Sequence, residues 1–276
     1  MTESGISQVG MIGLGKMGLP MTRHLLRKRF SVIGFDRDPE AVRQLTQLGG
    51  RAARDCAEVA ANSQLVIVVV GFESQVDEVL FGDRGVIAGA PDSLTVTIAS
   101  TAPPSYVRAL PSRAGKPSIA FLDTPLTRAE RAAEEGTLLI LGGGDKAAFD
   151  RCRPAFQTFA SDICYLGALG AGQIGKMINN FVLWSCTSAN YEGLKFARTL
   201  GVDPEQLREA LGKSTAQNWA MSSRSDERNA PWAEKDMMIV LKEADIARVS
   251  IPLAGVVKEV IKGFKIEQGH PMPRDD

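Results

Sequence analysis

Short apolar, β-branched runs alternate with helically spaced patterns as far as about residue 166. "QVGMIG", "SVIGFD", "QLVIVVV", "LTVTIAS", "SIAFLD", "TLLILGG" and "DICYLG" each read as a strand. Their near-continuous apolar character predicts strands covered on both faces, as in a parallel sheet with helices around it. "MGLPMTRHLLRKR" carries apolar residues at helical spacing, and "PEAVRQLTQLGG" reads as a helix with Pro39 in its first turn and glycine at its end. From about Gly167 only helix or loop is legible: a long helix over about 173–198, then "DPEQLREALGK", "AEKDMMIVLKEADIA" and "PLAGVVKEVIKGF". The pattern predicts an α/β domain over residues 1–166 and an all-α domain over 167–276, joined by the long helix. Ser222 to Pro231, "SSRSDERNAP", contains no large apolar residue and predicts an exposed, mobile loop.

The long helix opens oddly. "GAGQIGKMINNF" is set up to bury Ile174, Met177, Ile178, Phe181, Val182 and Trp184, yet it places Lys176, Asn179 and Asn180 in its first turns. Burying such groups is costly unless each finds a partner. That end therefore faces either water or a ligand that needs an ammonium and amides. Lys176 and Asn180 share a helix face at i,i+4 with Asn179 beside them, and Gly170, Gly172 and Gly175 are expected to leave room for a ligand.

"GLGKMG" (Gly13, Leu14, Gly15, Lys16, Met17, Gly18) lies between the first strand and the first helix, and Asp36 ends the second strand eighteen residues later. Glycines there allow a tight turn, close approach of a pyrophosphate and helix-on-strand packing, and the helix N-terminus supplies N–H groups. The context predicts a Rossmann-type doubly wound sheet that binds a dinucleotide. Asp36 would accept from the ribose hydroxyls and repel a 2′-phosphate, favouring NAD. Arg37 leaves NADP open, because a guanidinium can grip that phosphate or stack on adenine. Val70 and Gly71, at the end of the "QLVIVVV" run, are expected to line the cofactor.

Two further loops follow strands at the edge where ligands bind in such sheets. In "IASTAPP", Ser100 and Thr101 either donate to substrate or nicotinamide, or cap a helix ahead of Pro103 and Pro104. In "LDTPLTRAERAAEEGTL", Arg128 either grips a carboxylate, sulfonate or phosphate, or is an exposed arginine beside Glu130, Arg131, Glu134 and Glu135.

Composition narrows the chemistry. The 276 residues are 44% hydrophobic with formal net charge zero, so no basic stripe points to nucleic acid. The apolar run from Leu65 is too short for a bilayer, and "MTESGISQ" lacks the layout of a secretion signal. Four scattered cysteines without a CxxC pair predict a reduced, cytoplasmic protein with no structural metal. With only His24 and His270 present, acid–base work would fall elsewhere. A lysine of pKa about 10.4 is a poor base, but desolvation and a neighbouring oxidised nicotinamide would bring it into a useful range.

On "GLGKMGLPM", "STAPP", "DTPLTRAERAAEEGTLLILGGG", "GAGQIGKMINN" and "KDM" at Lys235–Met237, in this order, the chain resembles the β-hydroxyacid dehydrogenase family. The resemblance implies that Lys176 is the catalytic acid/base, that Asn180 contacts substrate, and that Lys235 reaches cofactor and active site from the helical domain. It also implies that Ser100 and Thr101 line the site and that the helical domain forms a homodimer. Members acting on 3-hydroxyisobutyrate or tartronate semialdehyde carry Ser-Gly-Gly where this chain has Thr127, Arg128 and Ala129. An arginine there resembles the sulfolactaldehyde reductase branch, where it helps grip a sulfonate. The segment before Lys235 and the C-terminal tail look shorter than in typical members.

The expected function is NAD(P)-dependent interconversion of a small 3-hydroxy acid, or another anionic analogue, and its semialdehyde. A catalytically weak or dead dinucleotide-binding scaffold and an imine reductase on the same fold are the alternatives. Retention of Lys176 and Asn180 speaks against the first, and Lys176 against the second, since imine reductases usually replace it.

Overall fold

Apolar runs of four or five residues form the centre of the sheet. β1 (Gln8–Ile12), β2 (Ser31–Phe35), β3 (Arg51–Ala52), β4 (Leu65–Val68), β5 (Thr95–Ile98) and β6 (Ala120–Asp123) are all parallel, in the order β3-β2-β1-β4-β5-β6. The helices α1 (Gly18–Arg27), α2 (Pro39–Gln47), α3 (Cys56–Ala61), α4 (Glu73–Phe81), α5 (Val86–Gly89) and α6 (Pro104–Ala114) occur among these strands. Strand order reverses between β1 and β4, which creates the crevice at the carboxyl ends of the strands where doubly wound sheets bind ligands. The computed structural model describes residues 5–227 and 229–271.

Beyond β6 the sheet turns mixed, through β7 (Leu126–Thr127), α7 (Ala129–Glu135), β8 (Leu138–Gly144), α8 (Lys146–Phe156) and β9 (Ala160–Gly167). β8 runs antiparallel to β6 and β7 and parallel to β9. The expectation of a parallel sheet covered on both faces thus fails at this end. β7, a two-residue strand, is too short to show a period, and β9 leaves Ser161, Asp162, Cys164 and Leu166 exposed.

The central strands do bury both faces, with period two. Met11, Leu65, Ile67 and Leu122 join Met21, Leu25, Phe149 and Phe156 in one core layer. Ile12, Val66, Val68 and Phe121 join Val59, Val76, Val96 and Val107 in the other.

This α/β unit runs to Lys176, and a second unit begins at Met177. The helix α9 (Ala171–Thr199) belongs to both; the sequence-expected division after residue 166 lies just ahead of it. The second unit continues with α10 (Pro204–Leu211), α11 (Trp219–Ser223), a 3₁₀ turn at Ser225–Glu227, α12 (Ala233–Ala247) and α13 (Pro252–Glu267). Ala233, Met237 and Val240 of α12 pack with Ala254, Val257, Ile261 and Phe264 of α13, and Met177, Phe181, Trp184 and Tyr191 of α9 complete that core.

Two expectations are corrected here. Ile174, Ile178 and Val182 are 37%, 49% and 54% exposed, whereas the polar Gln173, Asn180, Thr187, Ser188 and Asn190 are buried. Apolar spacing alone therefore misassigns part of this helix, because Gln173, Thr187 and Asn190 find hydrogen-bond partners in distant segments. Among them Thr187 pairs with Ser225, and Asn190 with Asn218. Nor is Ser222–Pro231 a wholly exposed loop. Asp226 is buried and binds the Arg208 guanidinium through both carboxylate oxygens at 3.0 and 2.8 Å. A bidentate pair draws in a segment that has no large apolar residue. Among the described residues, no helix is long and apolar enough to cross a membrane.

Candidate active site

The glycine loop connects β1 to α1. Gly13 has φ +93°, and a Cβ there would lie 2.2 Å from the carbonyl oxygen of Val69; a Cβ on Gly18 would lie 1.9 Å from that of Gly13. The fold itself requires these two glycines. Gly15 is different, since a Cβ there would meet nothing within 4 Å. Open space beside a glycine, at the start of a helix with no side-chain cap and no acidic residue in its first turn, fits a phosphate group.

Asp36 stands at the end of β2. Its Oδ2 accepts from the Leu14 N–H at 2.6 Å and its Oδ1 from the Asp38 N–H at 2.9 Å. The carboxylate is thereby fixed against the glycine loop, while each oxygen retains capacity for a ribose hydroxyl. Met17 precedes α1, and Lys16 forms an exposed 3.1 Å pair with Glu130 of α7. Arg37 is exposed. These residues fit a bound dinucleotide.

The tips of β4, β5 and β6 are linked by buried polar groups. Ser100 Oγ accepts from the Val70 N–H at 2.8 Å, and the Gly71 N–H donates to Gln75 at 3.0 Å. Gln173, in the first turn of α9, brackets Thr101: its Nε2 donates to the Ser100 carbonyl at 2.7 Å and its Oε1 accepts from the Ala102 N–H at 3.1 Å. Asp123, fully buried at the end of β6, accepts from the N–H groups of Gly170 at 2.8 Å and Gln173 at 2.7 Å. Burial pushes the Asp123 carboxyl up from its ordinary value, against the pull of those N–H donors. Lys176 is half-buried one turn beyond Gln173.

Sequence reading passed over Asp123 and Gln173. An aspartate closing the apolar run "SIAFLD" is the one available signal; a neutral glutamine gives none. The room expected around Gly170, Gly172 and Gly175 is filled by protein. A Cβ on Gly172 would lie 2.4 Å from the Leu141 carbonyl oxygen, one on Gly175 2.6 Å from the Leu166 side chain, and one on Gly170 2.9 Å from Arg108. These glycines let α9 approach its neighbours closely.

Thr127 is buried in β7. The two residues after it have positive φ, Arg128 at 78° and Ala129 at 62°. This is left-handed geometry suited to glycine, held here by side chains that disfavour it. The Arg128 guanidinium donates to the Thr137 carbonyl at 3.0 Å, Ser161 at 2.9 Å and Asp162 at 2.6 Å, all from one nitrogen. That hydrogen bond and charge hold the Asp162 carboxyl below its usual range.

In the second unit, Asn180 is buried and accepts from the exposed Asn179 amide at 3.0 Å. Lys235 lies between two anchored carboxylates in the first turn of α12. Glu234 pairs with buried Lys265 at 2.9 Å, and Asp236 accepts from the Trp184 indole N–H at 3.0 Å. The Lys235 ammonium stands 5.5 Å from the Trp232 ring centroid.

A parallel sheet with a glycine loop after β1 and a carboxylate after β2 defines a dinucleotide-binding oxidoreductase fold. Residues 8–167 match the family model described as the NAD binding domain of 6-phosphogluconate dehydrogenase, and residues 170–273 the one described as NAD-binding of NADP-dependent 3-hydroxyisobutyrate dehydrogenase. The chain belongs to the β-hydroxyacid dehydrogenase family, and its cofactor is NAD(P). It is 28% identical to 2-hydroxy-3-oxopropionate reductase of Escherichia coli over 262 residues, covering 92% of this chain and 89% of the relative. It is 26% identical to 3-hydroxyisobutyrate dehydrogenase of Pseudomonas aeruginosa over 276 residues, covering 92% and 91%. In fold it is similar to the Mycobacterium tuberculosis 3-hydroxyisobutyrate dehydrogenase with L-serine, at a TM-score of 0.85 and 24% identity, covering 97% and 96% of the two chains.

Proposed function

We propose that this NAD(P)-dependent oxidoreductase interconverts a small 3-hydroxy acid, or an analogue with another anionic group, and its semialdehyde. One observation carries the reading. The helical turn bearing Lys176 is tied by buried hydrogen bonds to the tips of β5 and β6, on the sheet edge that also carries the glycine loop. Bound NAD(P) supplies or accepts the hydride. Lys176 gives a proton to the developing alkoxide in reduction and removes it in oxidation. Asn180, one turn along α9, orients the carbinol oxygen, with Asn179 beside it. Ser100, Thr101 and Thr127 shape the substrate end, and Lys235 reaches the cofactor.

Arg128 holds the anionic group, which orients the carbinol carbon for transfer. To do so it gives up Asp162. The likeness of this loop to sulfolactaldehyde reductases rests on that arginine. Asp36 favours NAD over NADP. We place the protein in the cytoplasm and read it as a homodimer through its helical unit, the pairing being supported by exposed Phe196, Leu200 and Ile266, at 64%, 66% and 71%.

The test is NADH and NADPH oxidation with short aldehydes bearing carboxylate, sulfonate or phosphonate groups, repeated with Lys176→Ala. Turnover is expected on at least one, and loss of it in the variant with cofactor binding retained. A Lys176→Ala protein with full turnover overturns the assigned role.

A further inference from the structure

We infer that Gln173 is a positioning residue that fixes Lys176 relative to Thr101, a role that rests on Lys176 being the proton-transfer group. Its side-chain amide spans the backbone on both sides of Thr101, with the 2.7 Å bond to the Ser100 carbonyl and the 3.1 Å bond from the Ala102 N–H. Its own N–H is held by Asp123 at 2.7 Å. Gln173 is only 1% exposed, so water does not compete for these bonds. Lys176 follows at i+3, on the neighbouring helix surface.

The two anchors do different work. The Asp123 carboxylate takes the Gly170 N–H on Oδ1 and the Gln173 N–H on Oδ2, which holds the backbone of the helix start. The glutamine amide, pinned at both ends, ties the same turn to the backbone on either side of Thr101, so that the two anchors together fix its rotation. One residue of rotation is 100° and would carry the lysine away from its side of the helix. The network continues through Ser100 Oγ to the Val70 N–H, so the turn bearing Lys176 and the cofactor-side loop after β4 share one hydrogen-bonded frame.

The test compares Gln173→Met, of similar volume without either bond, with Gln173→Glu, which keeps the acceptor for Ala102 and loses the donor to Ser100. Lys176→Ala is the control. Lysines of each full-length protein with saturating NAD⁺ are reductively ¹³C-methylated, and the Lys176 NMR signal is assigned by its loss in the control. Both Gln173 variants are expected to change its chemical shift and titration midpoint while leaving NADH affinity within about twofold. On aldehydes that the wild type reduces, kcat is expected to fall by as much as about 100-fold, the effect of displacing a reacting group by about 1 Å. An unchanged Lys176 signal in folded Gln173→Met and Gln173→Glu overturns the inference, with or without turnover. Full turnover in Lys176→Ala, by contrast, removes the proton-transfer reading and leaves the NMR outcome to judge the positioning.

Discussion

The Leu14 N–H donates to Asp36 Oδ2 at 2.6 Å, so the carboxylate after β2 and the glycine loop after β1 hold one another. A carboxylate fixed in this way recognises a vicinal diol and repels a 2′-phosphate. Asp36→Ser is expected to weaken NADH binding and strengthen NADPH binding, measured by fluorescence titration with both. An unchanged ratio of the two affinities would remove Asp36 from cofactor selection.

A Cβ on Gly15 would meet open space, whereas one on Gly18 would meet backbone. Gly15→Val is expected to change unfolding free energy by no more than about 0.5 kcal/mol, yet raise the NADH Kd at least about tenfold. Gly18→Ala is expected to cost about 1–3 kcal/mol, since its Cβ has no room. Urea unfolding and NADH titration check both. Wild-type NADH affinity in Gly15→Val would mean the loop is not the phosphate cradle.

At the Arg128 loop, Ala129→Gly is expected to stabilise the fold by about 0.5–1 kcal/mol, because alanine at φ +62° loses a left-handed penalty. Asp162→Asn weakens the pair that holds Arg128 and is expected to lower KM for an anionic aldehyde. A KM that does not move in Asp162→Asn would argue against Arg128 as the anion anchor.

Lys265 and Glu234 are paired in the helical unit with side-chain exposures of 1% and 8%. Lys265→Met alone leaves a buried carboxylate without its partner and is expected to cost about 3–5 kcal/mol. Adding Glu234→Leu should recover most of that loss. Chemical denaturation of the two single variants and the double variant checks this. Strictly additive losses would show that the pair is not coupled.

The raised carboxyl of Asp123 sets a pH dependence of definite sign. The cost of its ionised form in the folded protein is present at neutral pH. It is relieved as pH falls from the raised folded value toward the unfolded value of about 3.9. Relative to Asp123→Asn, the wild type should therefore gain stability on acidification, in urea unfolding at neutral pH and near pH 4. A relative loss would mean that the N–H donors, rather than burial, control this carboxyl.

The sequence by itself determined the strands β1, β2, β4, β5 and β6, the glycine loop with Asp36, and the helices α9, α10, α12 and α13. Those features are local: a strand's apolar period and a glycine turn are written in consecutive residues. Tertiary structure decided the rest. It placed Gln173 and Asn180 of α9 inside and Ile178 and Val182 outside, while Met177, Phe181 and Trp184 pack as their apolar character implies. It spent the space beside Gly172 on packing, tied Arg128 to Asp162, and drew Asp226 under Arg208. For Gln173, Arg128 and Asp226 the side chain's place depends on a partner many residues away in the chain. Hydropathy along the chain records how greasy a residue is, but not which distant hydrogen bond will make its burial affordable.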